Sequence, residues 1–72
     1  MRTFEEIEVV VLRRDFPAHS LNAGDTGTVV HVYGDGIAYE VEFVEESGYT
    51  KALLTLKPDQ IGPYEAVSEA AE

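Results

Sequence analysis

The segment IAYEVEFV, residues 37–44, alternates apolar and acidic side chains with a period of two. Three apolar side chains fall on one face and two glutamates on the other: Tyr39, Val41 and Phe43 against Glu40 and Glu42. An extended strand separates these two sets, whereas a helical period of 3.6 would mix them. The segment therefore predicts an amphipathic β-strand with one face in a core and one face toward water.

Further apolar, β-branched runs predict strands on both sides of this one. Together they give four antiparallel strands near residues 5–12, 26–33, 37–44 and 49–57. A turn at residues 58–61, in which Pro58 fixes φ, precedes a short fifth strand at Ile61–Tyr64, which we expect at a sheet edge. The expected core consists of Val9, Val11, Val30, Val41, Phe43, Leu54 and Leu56.

Four glycines mark the corners between the predicted strands. Gly24 and Gly27 flank the start of the second strand, where we expect a positive φ or a bulge that a side chain would obstruct. Gly34 and Gly36 predict a tight hairpin connection to the third strand. The chain thus reads as all-β, a small SH3-like barrel with a long first loop. The alternative, an oligonucleotide-binding barrel, usually has a helix where this chain has only the turn EESG.

Two resemblances support this fold. The pattern AGDTGTVVHV resembles the G-x-x-G-x-V corner of SH3-like barrels, including the KOW modules, although RNA-binding KOW modules usually carry basic residues where Asp25 and Asp35 stand here. The segments EIEVVVL, DFPAHSLNAGDTGTVVHVY, AYEVEFV and ALLTLKPDQI, in that order, resemble the short bacterial and cyanobacterial proteins of the domain-of-unknown-function 4926 family. This second resemblance spans about residues 5 to 61. It implies a small SH3-like β-barrel and brings no activity with it.

The charge of the chain limits its partners. Its 14 Asp and Glu residues outnumber 5 Lys and Arg, giving a formal net charge of −9. Nucleic-acid binding relies on cations that replace the counterions of phosphates, so a nucleic-acid partner is disfavoured. The charged residues between Gly34 and Gly48 are all acidic: Asp35, Glu40, Glu42, Glu45 and Glu46. This run is either a solvated surface or a docking face for a basic protein.

The residues offer little for catalysis. The chain has no cysteine, and its serines lie in turns or in the tail without a suggestive His and Asp spacing. Glu40 and Glu42 would lie roughly 6 to 7 Å apart on a strand, but a chain of 72 residues leaves little room for a cleft. His31 is expected to point into solvent beside these glutamates, and a metal site with them is the less favoured alternative. We therefore predict no catalytic, cofactor-binding or metal-binding residue.

The aromatic side chains leave two alternatives open. Phe16 and Pro17, with Tyr33 and Tyr49, would either anchor the core and loops or form a groove for proline-rich peptides. The predicted partner-binding surface comprises Phe16, Tyr33, Asp35, Glu40, Glu42, Glu45 and Glu46.

These residues predict a small acidic, non-enzymatic module that binds a basic protein. An antitoxin or immunity-type partner is one form of this function. The alternatives are a nucleic-acid-associated KOW-like barrel and an accessory subunit of an enzyme.

The length predicts one domain over residues 1–64 with a flexible acidic tail at 65–72. No stretch approaches the roughly 20 apolar residues of a membrane span, and the start lacks the apolar core of a signal peptide. We therefore expect a cytoplasmic protein without membrane contact. Unpaired sheet edges permit a monomer or a weak homodimer.

Overall fold

A computed structural model describes residues 4–64 of the chain. The regular elements are β1 (Val9–Leu12), a first 3₁₀ turn (Pro17–His19), β2 (Thr26–Tyr33), β3 (Ala38–Val44), β4 (Thr50–Leu56), a second 3₁₀ turn (Pro58–Gln60) and β5 (Ile61–Pro63). The all-β class is confirmed, as are the long first loop and the 3₁₀ turn before a short last strand. The acidic tail predicted at 65–72 lies outside the described residues.

The five strands form one antiparallel sheet in the order β4-β3-β2-β1-β5. β2, β3 and β4 are a meander connected by tight turns, and β1 joins the first part of the chain to the last, since Val10 lies opposite Pro63. The sheet is not closed, and its two edges are β4 and β5. This topology is compatible with an SH3-like barrel. Among residues 4–64, no helix has the length and hydropathy to cross a bilayer.

β1 begins at Val9 and not at residue 5 because the chain turns just before it. The Glu8 N–H donates to the Glu5 carbonyl at 3.1 Å, and Ile7 adopts a positive φ of 72°. The Ile7 N–H still donates to the Val29 carbonyl at 2.6 Å, so this turn is attached to β2. The strand pairing of β1 is consequently short.

The core side chains are Phe4, Val10, Leu12, Leu21, Val29, Tyr39, Val41, Phe43, Leu56 and Ile61. Three predicted core residues are among them, and a fourth, Leu54, packs against them while partly buried. The prediction was wrong for Val9, Val11 and Val30. Val9 and Val30 are exposed and Val11 is half-buried, whereas the neighbouring Val10 and Val29 are fully buried.

The wrong assignments in β1 and β2 have separate causes. β1 reads VVVL, so both of its faces are apolar and the sequence does not indicate which one faces the core. β2 contains a β-bulge: Val29 pairs with Val41 and His31 pairs with Glu40, which leaves Val30 as an extra residue. The bulge interrupts the period of two on which the prediction relied.

Gly27 is required for a close contact and not for a turn. It is a buried residue of β2, and a Cβ there would lie 2.7 Å from side-chain carbons of both Phe43 and Val41. The prediction of a positive φ or a bulge at Gly27 was wrong, since its φ is not positive and the bulge of β2 lies between Val29 and His31. The predicted obstruction of a side chain at Gly27 is confirmed. The other corner glycines have positive φ and lie in turns: Gly24, Gly34 and Gly36.

Candidate partner-binding surface

The predicted acidic residues follow β3 along its whole length. Asp35 lies in the turn before the strand, Glu40 and Glu42 lie within it, and Glu45 and Glu46 lie in the turn after it. Glu40 and Glu42 occupy the face opposite the buried side chains of β3. The structure therefore places these carboxylates in one series from one end of the sheet to the other.

Hydroxyl groups hold the Glu40 carboxylate in position. The Thr55 hydroxyl donates to Glu40 Oε1 at 2.6 Å, and the Tyr33 hydroxyl donates to the same oxygen at 3.1 Å. The hydrogen bond to Glu40 raises the pKa of Tyr33, and partial desolvation and the negative charge of Glu40 add to this effect. Glu40 thus faces the surface with a fixed orientation.

Glu42 has an equivalent support on the neighbouring strand. The Thr50 hydroxyl donates to Glu42 Oε2 at 2.6 Å. Because these donors are neutral hydroxyls, they orient the carboxylates and leave their negative charge uncompensated. Such oriented acceptors suit recognition of a cation.

His31 lies on the exposed surface beside glutamates, as its position in β2 predicted. It pairs with Glu40 in the strand register, and its Nδ1 lies 3.8 Å from Glu6 Oε2. Its ring packs edge-on against Tyr33, with ring centroids 4.6 Å apart. Within residues 4–64 no group of three or more His, Cys, Asp or Glu side chains is arranged to hold a metal ion.

A cavity of about 670 Å³ lies where the β3–β4 turn meets the loop before β2. We call this cavity the acidic pocket; its lining residues are Leu21, Asp25, Thr26, Phe43, Val44, Glu45, Glu46 and Lys51. Leu21 and Phe43 are core residues, and with Val44 they supply the apolar part of the lining. Asp25, Glu45 and Glu46 supply three carboxylates. The pocket therefore combines an apolar wall with excess negative charge.

Three hydrogen bonds shape the acidic pocket, and one of them joins distant parts of the chain. Asp25 Oδ2 accepts the Asn22 N–H at 2.8 Å, which fixes the turn before β2. Lys51 Nζ donates to the Ser20 carbonyl at 2.8 Å and so ties β4 to the first loop. The Glu45 N–H donates to the Tyr49 carbonyl across the β3–β4 turn, at 2.9 Å. The Lys51 cation is thereby directed at a carbonyl oxygen and not at the pocket carboxylates.

The predicted aromatic residues do not lie together. Phe16 forms an isolated β-bridge with Leu21 and packs against the core while partly buried. Tyr33 lies opposite Ala38 at the start of β3, whereas Tyr49 precedes β4 beside the end of β3. Since Tyr33 and Tyr49 occupy opposite ends of the sheet, the structure does not assemble one groove from the three rings.

Sequence reasoning missed part of the acidic pocket. Leu21 and Lys51 were not assigned to a site, and Asp25 was considered only as a departure from the basic KOW corner. These residues meet Glu45 and Glu46 only because the first loop folds against the β3–β4 turn. The acidity of the turn before β2 was the one sequence signal for this part of the pocket. No spacing rule connects that turn with Glu45.

A family model described as "Domain of unknown function (DUF4926)" matches residues 6–63. The matched span includes all five strands and every residue of the acidic pocket. Comparison with curated proteins gave no match, and comparison with solved structures gave none either.

Proposed function

This chain belongs to the DUF4926 family, and we propose that it is a non-enzymatic module that binds a basic protein. The acidic pocket is the observation that carries the proposal. A lysine or arginine side chain has an apolar stem and a cationic head, which match the apolar wall and the carboxylates of this pocket. An antitoxin or immunity protein that binds a basic toxin would be a module of this kind.

The remaining acidic residues act at longer range in this proposal. Asp35, Glu40 and Glu42 extend the negative charge from the pocket along β3. A field of one sign speeds the encounter with an oppositely charged partner and orients it, and contributes less to the final affinity. Apolar contact with the pocket wall then determines how slowly the complex dissociates.

The positions of Glu40 and Glu42 support a non-enzymatic function. Both carboxylates lie on the outer face of β3 and accept hydrogen bonds from threonine hydroxyls. Neither lines the acidic pocket. General acid–base catalysis by a carboxylate pair instead relies on a cleft that perturbs one of their pKa values.

The test begins with capture of a protein from an extract of the source cells on the immobilised chain, followed by kinetic measurement with the purified partner. The variant Glu45→Lys with Glu46→Lys should lower the association rate at low salt by about tenfold or more. Its matched control, Glu5→Lys with Asp59→Lys, changes the net charge equally on exposed residues outside the pocket.

The control should bind nearly as fast as the unaltered chain. Equal losses in both variants would show that only net charge matters, and the pocket would then have no specific role. If the immobilised chain instead captured nucleic acid directly, without a bound protein, this result would favour the KOW-like alternative and overturn the proposal.

A further inference from the structure

We propose that the basic partner docks by adding an extended segment to the open edge of β4. This inference rests on the proposed function and names the form in which the partner is bound. In the sheet formed by residues 4–64, β4 has a neighbour on one side only. An exposed strand edge presents backbone N–H and C=O groups that can pair with another chain.

The backbone direction of β2 follows from its bonds with the chain around β1. The Val29 N–H donates to the Glu8 carbonyl at 2.9 Å, and the Val29 carbonyl accepts the Ile7 N–H at 2.6 Å. In an antiparallel sheet, consecutive residues direct their backbone groups to opposite sides. Thr28 therefore faces β3, where its partner is Glu42.

The same alternation fixes the orientation of β4. Because the backbone of Glu42 faces β2, that of Val41 faces β4, where its partner is Leu54. Leu54 therefore faces β3. Leu53 and Thr55, on either side of it, direct their N–H and C=O groups to the open edge.

The bulge and the charge of β4 both lie at Lys51, and residues 52–56 lack the features that usually protect a sheet edge, namely charge, proline and a bulge. The other edge, β5, is three residues long and ends in Pro63. β4 is seven residues long, and its residues 52–56 carry no charge. Its one cation, Lys51, is engaged with the Ser20 carbonyl. This edge is thus suited to pairing with another strand.

The neighbouring strand determines which partner fits. Glu42 lies beside Leu53, and Glu40 lies beside Thr55, both on the outer face. An added strand would lie about 10 Å from β3, two strand spacings, which a Lys or Arg side chain and a Glu side chain can span together. On the inner face it would meet Leu54, which is only partly buried. The partner segment should therefore alternate basic and apolar residues.

A second copy of the chain fits this edge less well. It would bring the same row of glutamates toward Glu40 and Glu42, and each copy carries a formal net charge of −9. Like charges oppose such pairing at low salt. A basic segment instead has charge complementary to the outer face.

The test uses a synthetic peptide in which Lys and Val alternate, compared with a peptide of the same composition in which Lys and Val form two blocks. Binding is measured by calorimetry, and amide hydrogen exchange identifies the residues that become protected. The alternating peptide should bind more tightly, and the amides of Leu53 and Thr55 should exchange more slowly in its presence. The already paired Leu54 amide should change little.

The variant Leu53→Pro removes an outward N–H without removing a sheet hydrogen bond, and edge strands tolerate proline at such positions. It should lower the peptide affinity by about tenfold or more while the amide spectrum of the sheet is retained. The control Leu53→Thr keeps the N–H and should bind like the unaltered chain.

Equal binding of the two peptides, or unchanged exchange at Leu53 and Thr55, would overturn the inference; the exchange measurement decides the matter if Leu53→Pro unfolds. Sedimentation that shows a dimer through β4, dissociated by Leu53→Pro, would assign the edge to a second copy. If Leu53→Pro leaves binding of the cellular partner intact while Glu45→Lys with Glu46→Lys abolishes it, the proposed function stands and the edge is not its site.

Discussion

Gly27 of β2 lies so close to Phe43 of β3 that a Cβ on Gly27 would be 2.7 Å from Cε2 of the phenylalanine ring. A Cβ would also lie 2.7 Å from Cγ1 of Val41. The absence of a side chain at Gly27 thus lets two core residues of β3 pack across β2. The same Phe43 ring forms part of the wall of the acidic pocket.

Substitution of Gly27 by Ala should therefore destabilise the fold by overpacking, at a cost of about 1–3 kcal/mol. Urea unfolding would measure this loss. The double variant Gly27→Ala with Val41→Ala should cost less than the sum of the two single variants, because the smaller side chain relieves one contact. Strict additivity of the two changes would contradict this explanation.

The hydrogen bond between Tyr33 and Glu40 should be visible in the titration of the phenol. Since the pKa of Tyr33 is raised, this bond contributes its full stability below the ordinary tyrosine pKa of about 10. The contribution is lost as the pH rises through the higher pKa of the folded state. Glu40→Gln should bring the pKa of Tyr33 down toward the ordinary value, as followed by the ring resonances in NMR spectra.

Glu42→Gln is the control for this titration, because Glu42 accepts a hydrogen bond from Thr50 and not from Tyr33. It should alter the Tyr33 titration far less than Glu40→Gln does. An identical pKa of Tyr33 in Glu40→Gln and in the unaltered chain would show that the hydrogen bond to Glu40 is not what raises this pKa.

Ile7 should be replaceable with a gain in stability. It has a φ of 72°, which is costly for a β-branched side chain, and 76% of its surface is exposed. Ile7→Asn should stabilise the fold by about 1 kcal/mol, since asparagine tolerates this conformation better. Ile37→Asn is a matched control, because Ile37 is 72% exposed without a positive φ. A thermal shift that is equal for both variants would mean that backbone strain is not the cause.

Phe16→Ala should lower the free energy of unfolding by about 1–3 kcal/mol, because the partly buried Phe16 ring packs against the core. Phe16→Leu retains much of this packing and should cost less. The sequence also predicts that Phe16 anchors the partner, in which case Phe16→Ala raises the dissociation rate of the complex. Unfolding that is unchanged in Phe16→Ala would contradict the packing role.

The predictability of each strand depended on whether its two faces differ in polarity. β3 alternates apolar and acidic residues, and its buried Val41 and Phe43 were predicted correctly. β1 is apolar on both faces, so its register depends on pairing with Gly27 and Pro63, which no local pattern reveals. The sequence predicted the strand but not the face.

Of the acidic pocket, only the carboxylates of the β3–β4 turn were predictable from the sequence. Glu45 and Glu46 follow a well-defined strand and were assigned to the partner-binding surface. Asp25 reaches them because the first loop is held by Lys51 and the Phe16–Leu21 bridge. Such long-range contacts depend on the folded loop and leave no period in the sequence.

The pairing of β1 with β5 has a consequence for the order of events during synthesis. The meander of β2, β3 and β4 can form as each strand leaves the ribosome, because its connections are short. β1 is made first, yet the edge that it presents to β5 stays unpaired until Ile61–Pro63 emerges. Pairing of strands that are so far apart in sequence is characteristically a slow step of folding. The nascent chain therefore exposes one backbone edge of the apolar strand VVVL until β5 has been made.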